Sequence, residues 1–226
     1  MKRFLLILCL ALLPLCVLAQ EAAPKIRVAI QGGLSTRIGK VDNSLSGDLY
    51  NYVKDLKRGT QYGADALYFL SNTAYGFGIK YSKFNASNSV YGTFTYEDGT
   101  SETGWLSDRI GISFIGPYVS YTTAILGKPH VLMLNAGIGY LGYRDDSTAA
   151  SQSYVLSGAT MGSFLSFAYD YRIGKHLALG AEVSAVSGTL TSMKQTQNGV
   201  ITDVDLGDSA EGLMHIGVTV GLRYYL

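Results

Sequence analysis

From Lys25 to Ser35 the chain alternates: Ile26, Val28, Ile30, Gly32 and Leu34 fall on one side, and Lys25, Arg27, Ala29 and Gln31 on the other. Successive side chains of a strand point to opposite faces, so a period of two means a β-strand with one apolar and one polar face. Seven further segments read the same way, near 60–71, 75–85, 109–122, 130–143, 154–172, 175–187 and 212–226. Their apolar sides include Phe77, Ile79 and Tyr81; Leu132, Leu134, Ala136, Ile138 and Tyr140; and Ile216, Val218, Val220, Leu222 and Tyr224. A bulge is expected in the fourth segment, because Pro117 has no N–H to give to a ladder.

The connections alternate in length. Residues 72–74, 123–129 and 173–174 make short turns, and 38–59, 86–108, 144–153 and 188–211 make long ones. An up-and-down meander of this kind places all short turns at one end, as outer-membrane barrels do. Tyr68, Tyr75, Tyr121, Tyr169, Tyr171 and Tyr224 would gather at the short-turn rim, and Tyr62, Tyr81, Tyr140 and Tyr143 near the other. Two belts of amphipathic aromatics suit two water–lipid interfaces. Only 15% of the residues are charged, against about 25% in soluble domains. An inward apolar face would therefore leave the outside short of charge. The expected architecture is all-β: an eight-stranded antiparallel transmembrane up-and-down β-barrel with its apolar face toward lipid and every backbone group paired by closure.

The first residues read as an address. Lys2 and Arg3 precede the apolar run Phe4 to Leu13, and Val17-Leu18-Ala19 offers a small residue for cleavage, so residues 1–19 read as a signal peptide and 20–226 as the barrel domain. A lipoprotein signal at Cys16 is the lesser alternative, since Leu15 precedes it. Cleavage removes Cys9 and Cys16, which excludes disulfides and cysteine chemistry from the mature chain. It also removes Lys2 and Arg3, so 18 basic residues become 16 against 17 acidic ones, a net charge of −1. No basic field exists to hold nucleic acid.

The polar face carries Arg27, Asp65, Lys80, Asp170, Arg172, Glu182 and Arg223. In a barrel this narrow the lumen is filled by side chains or holds one small ligand, and charges there require partners. With a turn over 71–74, Leu70 faces Tyr75 and Asp65 lies opposite Lys80, so these two are expected to pair and the others to form an interior network. The same register sets Gly76 and Gly78 opposite Phe69 and Leu67.

Residues 47–59 break the period of two. Leu49, Tyr52, Val53 and Leu56 follow i, i+3, i+4, i+7 spacing, with Lys57 and Arg58 in the last turn and Gly59 as a stop, which predicts a short amphipathic helix in the first outer loop. It would serve as a lid, the preferred reading because the segment is tied at both ends, or as an interfacial patch. Asp98-Gly99 and Asn198-Gly199 favour type I′ turns, so ribbons should project beyond the lipid. No catalytic grouping, metal-ligand spacing or cofactor loop stands out among the residues. His215, with Glu211 nearby, is the one histidine whose placement suggests chemistry.

The eight alternating segments, the signal ending in Ala19-Gln20 and the last strand GVTVGLRYYL resemble the small outer-membrane β-barrel proteins of Gram-negative bacteria, the OmpA/OmpX-like superfamily. The terminal residue departs from that pattern, being Leu226 where the family usually has Phe or Trp. The resemblance implies an outer-membrane location, contact with outer-membrane lipid and lipopolysaccharide, and insertion by the barrel-assembly machinery. It implies a non-enzymatic structural or adhesive role, with any protein partner meeting the extracellular loops. Three rivals stay open: a soluble exported lipocalin-like binder, a narrow pore, and a lipid A-modifying enzyme built on His215.

Overall fold

A computed structural model describes residues 25–39, 47–95, 99, 101–124, 129–207 and 210–226. The segment read as a signal peptide, and Asp98 of the first predicted hairpin, lie outside the described residues. Strands β1 (Ile26–Arg37), β2 (Arg58–Phe69), β3 (Tyr75–Thr95), β4 (Ser101–Ala124), β5 (His130–Ala149), β6 (Gln152–Arg172), β7 (Leu177–Ser187) and β12 (His215–Tyr225) close into an eight-stranded antiparallel ring. Between β7 and β12 come the short strands β8 (Thr189–Leu190), β9 (Ser192–Gln197), β10 (Val200–Asp205) and β11 (Glu211–Gly212).

Closure has a measurable stagger. From Tyr171 the paired residues run Leu179, Leu222, Ile30, Ala64, Tyr81, Ile115, Tyr140 and back to β6 at Met161, ten residues from the start. That shear tilts the strands and sets which side chains meet across the lumen. No bulge interrupts β4. Ile115 faces Tyr140 and Tyr118 faces Gly137, so the register is the same on both sides of Pro117. Pro117 points outward and merely omits its own bond, which a tilted wall tolerates without an extra residue.

The alternation separates the two faces as expected. Ile30, Phe77, Ile79, Ile138, Leu165, Phe167, Val218 and Val220 are each at least half exposed and point away from the barrel. Such a continuous apolar exterior is far larger than the patches that soluble monomers leave in water. The soluble lipocalin-like alternative is therefore wrong: it required these residues inside. Tyr68, Tyr75, Tyr171 and Tyr224 ring the short-turn rim, and Tyr62, Tyr81 and Tyr140 mark the other interface. Tyr143 does not join that upper ring; it points inward and is buried, because it is an odd step from Tyr140.

The strands outlast the lipid belt. Residues 86–95 and 101–108, expected as loop, continue β3 and β4 as one ladder, and 144–149 continue β5 into a tight turn at Ala150, whose φ is +51°. The Asn198-Gly199 hairpin joins β9 and β10, with φ angles of +51° and +80° suited to a type I′ turn. The helix α1 is shorter than expected, Gly47–Asp55, and Arg58 already begins β2. Gly59 is thus not a helix stop. It lies in β2 where an added Cβ would strike the Asn85 backbone.

Candidate functional site: the barrel interior and its outer mouth

The interior is layered. Near the short turns Leu67, Phe69, Val131, Met133 and Tyr225 form an apolar floor, with the Phe69 and Tyr225 rings stacked at 6.3 Å. Toward the other end Phe84, Ile112, Phe114, Leu141, Phe164 and Val186 form a second apolar layer. Between them lies an ionic network. Arg27 donates to Asp65 at 2.6 Å and to Asp170 at 2.8 Å. Arg223 lies 3.3 Å from Asp170 and donates to Gln31 at 2.7 Å, and Gln31 donates to Glu182 at 3.0 Å. Lys80 reaches both oxygens of Glu182, at 2.7 and 2.9 Å, while sitting 4.6 Å from the centre of the Phe164 ring. Tyr118 and Tyr225 add hydroxyl donors to Asp65 (3.0 Å) and Asp170 (2.6 Å).

Three cations meet three carboxylates, so the layer is electrically balanced. Each charge there is almost wholly excluded from solvent. Burial of ions is tolerable only with this degree of pairing. Small residues make the space: a Cβ on Gly78 would enter the Tyr118 ring, and one on Gly180 would displace Asp170 and Arg223.

Six of the seven residues read from sequence are brought together here, and one is not. Arg172 lies at the short-turn rim, donates to the Lys175 carbonyl at 3.1 Å and covers the Tyr225 ring. It follows the inward parity of β6, but the strand has left the lumen by that point. The expected Asp65–Lys80 ion pair is also replaced. The two do face each other in register, yet each takes another partner: Asp65 pairs with Arg27, its diagonal neighbour on β1, and Lys80 reaches across the lumen to Glu182. Sequence reasoning passed over Gln31, Tyr118 and Tyr225 as network members. Gln31 had the signal of inward parity beside Arg27; Tyr225 was hidden by the outward tyrosine next to it.

The outer mouth is covered by α1. Tyr52 and Leu56 are buried against the upper apolar layer. The Tyr52 hydroxyl donates to Asp108 at 2.7 Å and Asn88 donates to the Tyr52 carbonyl at 3.1 Å, which ties the helix to β3 and β4. Burial, then the Asp108 bond, pushes the Tyr52 phenol well above its usual range. Beside it Asp145 is raised to about 6, chiefly by burial and then by the neighbouring Asp108 charge, with Tyr143 donating a partly offsetting hydrogen bond.

His215 is buried in the same region, facing inward and stacked on Phe84 at 5.4 Å, with Nδ1 3.0 Å from the Leu213 carbonyl. Its nearby carboxylate, Glu211, is engaged by Arg37. Among the described residues no group of three or more acidic, His or Cys side chains is placed to hold a metal ion.

An apolar exterior between tyrosine rings, a closed eight-stranded ring and a balanced charged interior together define the fold of the small outer-membrane β-barrel proteins. Solved structures of that fold are similar to this chain. Neisserial surface protein A is 12% identical over 91% of this chain and 100% of that one, with a TM-score of 0.52. A major outer membrane protein from Thermus thermophilus is 13% identical over 91% and 100%, with a TM-score of 0.60. OprG from Pseudomonas aeruginosa is 14% identical over 90% and 97%, with a TM-score of 0.53. At such identities the likeness is one of fold. No protein-family model matches the sequence, and no curated protein matches it.

Proposed function

We propose that the protein is exported by residues 1–19, resides in the outer membrane, and acts there as a non-enzymatic structural and adhesive barrel without a conducting lumen. The observation that carries this reading is the stacked interior: an apolar floor, a charge-balanced network and a second apolar layer, capped by Tyr52 and Leu56. A solute would have to break several buried ion pairs to pass. The inward, stacked His215 supports the non-enzymatic reading over a lipid A-modifying one, since its ring does not reach the lipid-facing surface.

The adhesive part rests on the ribbons. Tyr91 and Trp105 pack edge to face at 5.4 Å near the end of the β3–β4 ribbon and are 58% and 57% exposed. Aromatics held in that position, beyond the lipid belt, suit contact with another surface.

The test has two readouts. With the refolded protein in planar bilayers no stepwise conductance above the protein-free background is expected, and steady single-channel steps would refute the filled lumen. Cells displaying the protein should adhere to a protein-coated surface, and Tyr91→Ser with Trp105→Ser should reduce that adhesion; undiminished adhesion would remove the ribbon from the role.

A further inference from the structure

The outward rows of residues above the upper tyrosine ring differ sharply from the belt beneath. Tyr81, Ile115, Tyr140 and Met161 are one cross-strand row, opposed in register across β3 to β6. Two residues further out, the next row is Lys83, Ser113, Gly142 and Ala159, and the one after is Asn85, Gly111, Arg144, Ser157 and Lys194. The hairpin of β9 and β10 leans on β6 here and walls off a groove of about 670 Å³. Its floor is made of glycines, an alanine and serines; its walls carry Lys83, Arg109, Arg144 and Lys194.

The charge in the groove is unequal. Four cations line it against Asp146 and Asp203. Arg144 is paired with Asp146 at 2.7 Å, but Lys83, Arg109 and Lys194 form no ion pair among the described residues. In the ionic layer of the lumen the charges are paired off, whereas here three of four cations form no ion pair among the described residues, although Arg109 and Lys194 lie in register opposite Asp146 and Asp203. Strand spacing separates the cations by about 10 Å from β3 to β5 and about 19 Å from β3 to β9. A single small anion cannot touch them all. A headgroup bearing phosphates at both ends can, and the hydroxyl-rich floor fits sugar.

Position decides the source of the phosphate. The groove opens directly over Tyr81, Ile115, Tyr140 and Met161, and the apolar belt continues below through Ile79 and Ile138. A molecule with phosphates in the groove would thus lay its acyl chains against the belt. We propose that this groove binds a phosphorylated, acylated glycolipid of the outer leaflet, with Lys83, Arg109, Arg144 and Lys194 holding the phosphates. The inference rests on the outer-membrane reading with the ribbons outside, and deepens it by naming a lipid partner and its site.

The test uses the full mature barrel folded in detergent micelles, titrated with bis-phosphorylated lipid A, with its dephosphorylated form, and with inorganic phosphate, bound lipid being counted by native mass spectrometry. A gel shift without boiling first establishes that each sample is folded. The phosphorylated lipid should bind, the dephosphorylated one at least about tenfold more weakly, and millimolar inorganic phosphate should not compete. Lys83→Gln, Arg144→Gln and Lys194→Gln combined should remove most of the binding without altering the gel shift, as these side chains lie on the exposed face. Ser113→Leu, which fills the floor and leaves the charges alone, should weaken it as well. Equal binding of both lipids, an unaffected triple variant, or full competition by inorganic phosphate would each overturn the proposal. Recovery of the expressed chain outside the outer-membrane fraction would instead reject the reading beneath it, and the groove with it.

Discussion

Replacing Lys80 by Met tests the ionic layer most directly. Met keeps the length and apolar volume of the stem, so the packing against Phe164 largely survives. What disappears is the ammonium at 2.7 and 2.9 Å from Glu182. Glu182, 2% exposed, then keeps only the neutral donor Gln31 at 3.0 Å. Removing one partner of a buried ion pair costs about 3–5 kcal/mol, because the remaining charge is left without compensation. Changing Glu182 to Gln as well discharges that survivor, so the double variant should recover about half or more of the loss. The pairwise coupling is therefore expected at about 2 kcal/mol or above. A urea titration of the barrel in lipid vesicles, read by the gel shift without boiling, measures all four corners of the cycle. Additive losses for Lys80 and Glu182, or a larger coupling of Lys80 to its register neighbour Asp65 than to Glu182, would refute the assignment of partners.

Three further perturbations separate the lipid face, the mouth and the network. Val220→Arg, on the exposed apolar face near mid-barrel, should cost about 2–4 kcal/mol in the same titration, whereas Tyr91→Arg on the ribbon should cost about 0.5 kcal/mol or less; equal costs would contradict the assigned lipid boundary. Asp145 has a folded pKa raised to about 6, so the folded state holds its proton more tightly than the unfolded one, and its contribution to stability falls as pH rises from about 4 to 6. Asp145→Asn should thus stabilise at pH 7.5 more than at pH 4, read as the temperature at which the gel shift is lost; a gain independent of pH would dismiss the burial cost. Gly78→Ala should push Tyr118 off Asp65 and cost about 1–3 kcal/mol, and an unchanged urea midpoint would show that the ring has room.

Much of what depends on neighbours in the chain was legible beforehand. Alternation assigned the faces of β1, β5 and β12, because a strand admits only two directions for a side chain. The tight turn after β2 set Asp65 opposite Lys80 and Gly78 opposite Leu67, since a short hairpin leaves one register. The i, i+3, i+4, i+7 spacing located α1, and Asn198-Gly199 located the β9–β10 turn.

What spans the lumen was not legible. Lys80 meets Glu182 and Arg27 meets Asp170 only because eight strands close with a stagger of ten residues. That closure is a property of the whole ring, and no local window of sequence contains it. The same limit hid the cation groove, whose lining comes from six strands, whereas the inward Tyr143 followed from its odd step from Tyr140 and the rim position of Arg172 from the end of β6. The period of two, the alternating turn lengths, the tyrosine positions and the low charge content pointed to a lipid-facing barrel with charges inside; only the closed tertiary structure decided which charge faces which, because ring stagger brings residues more than about a hundred positions apart to hydrogen-bond distance.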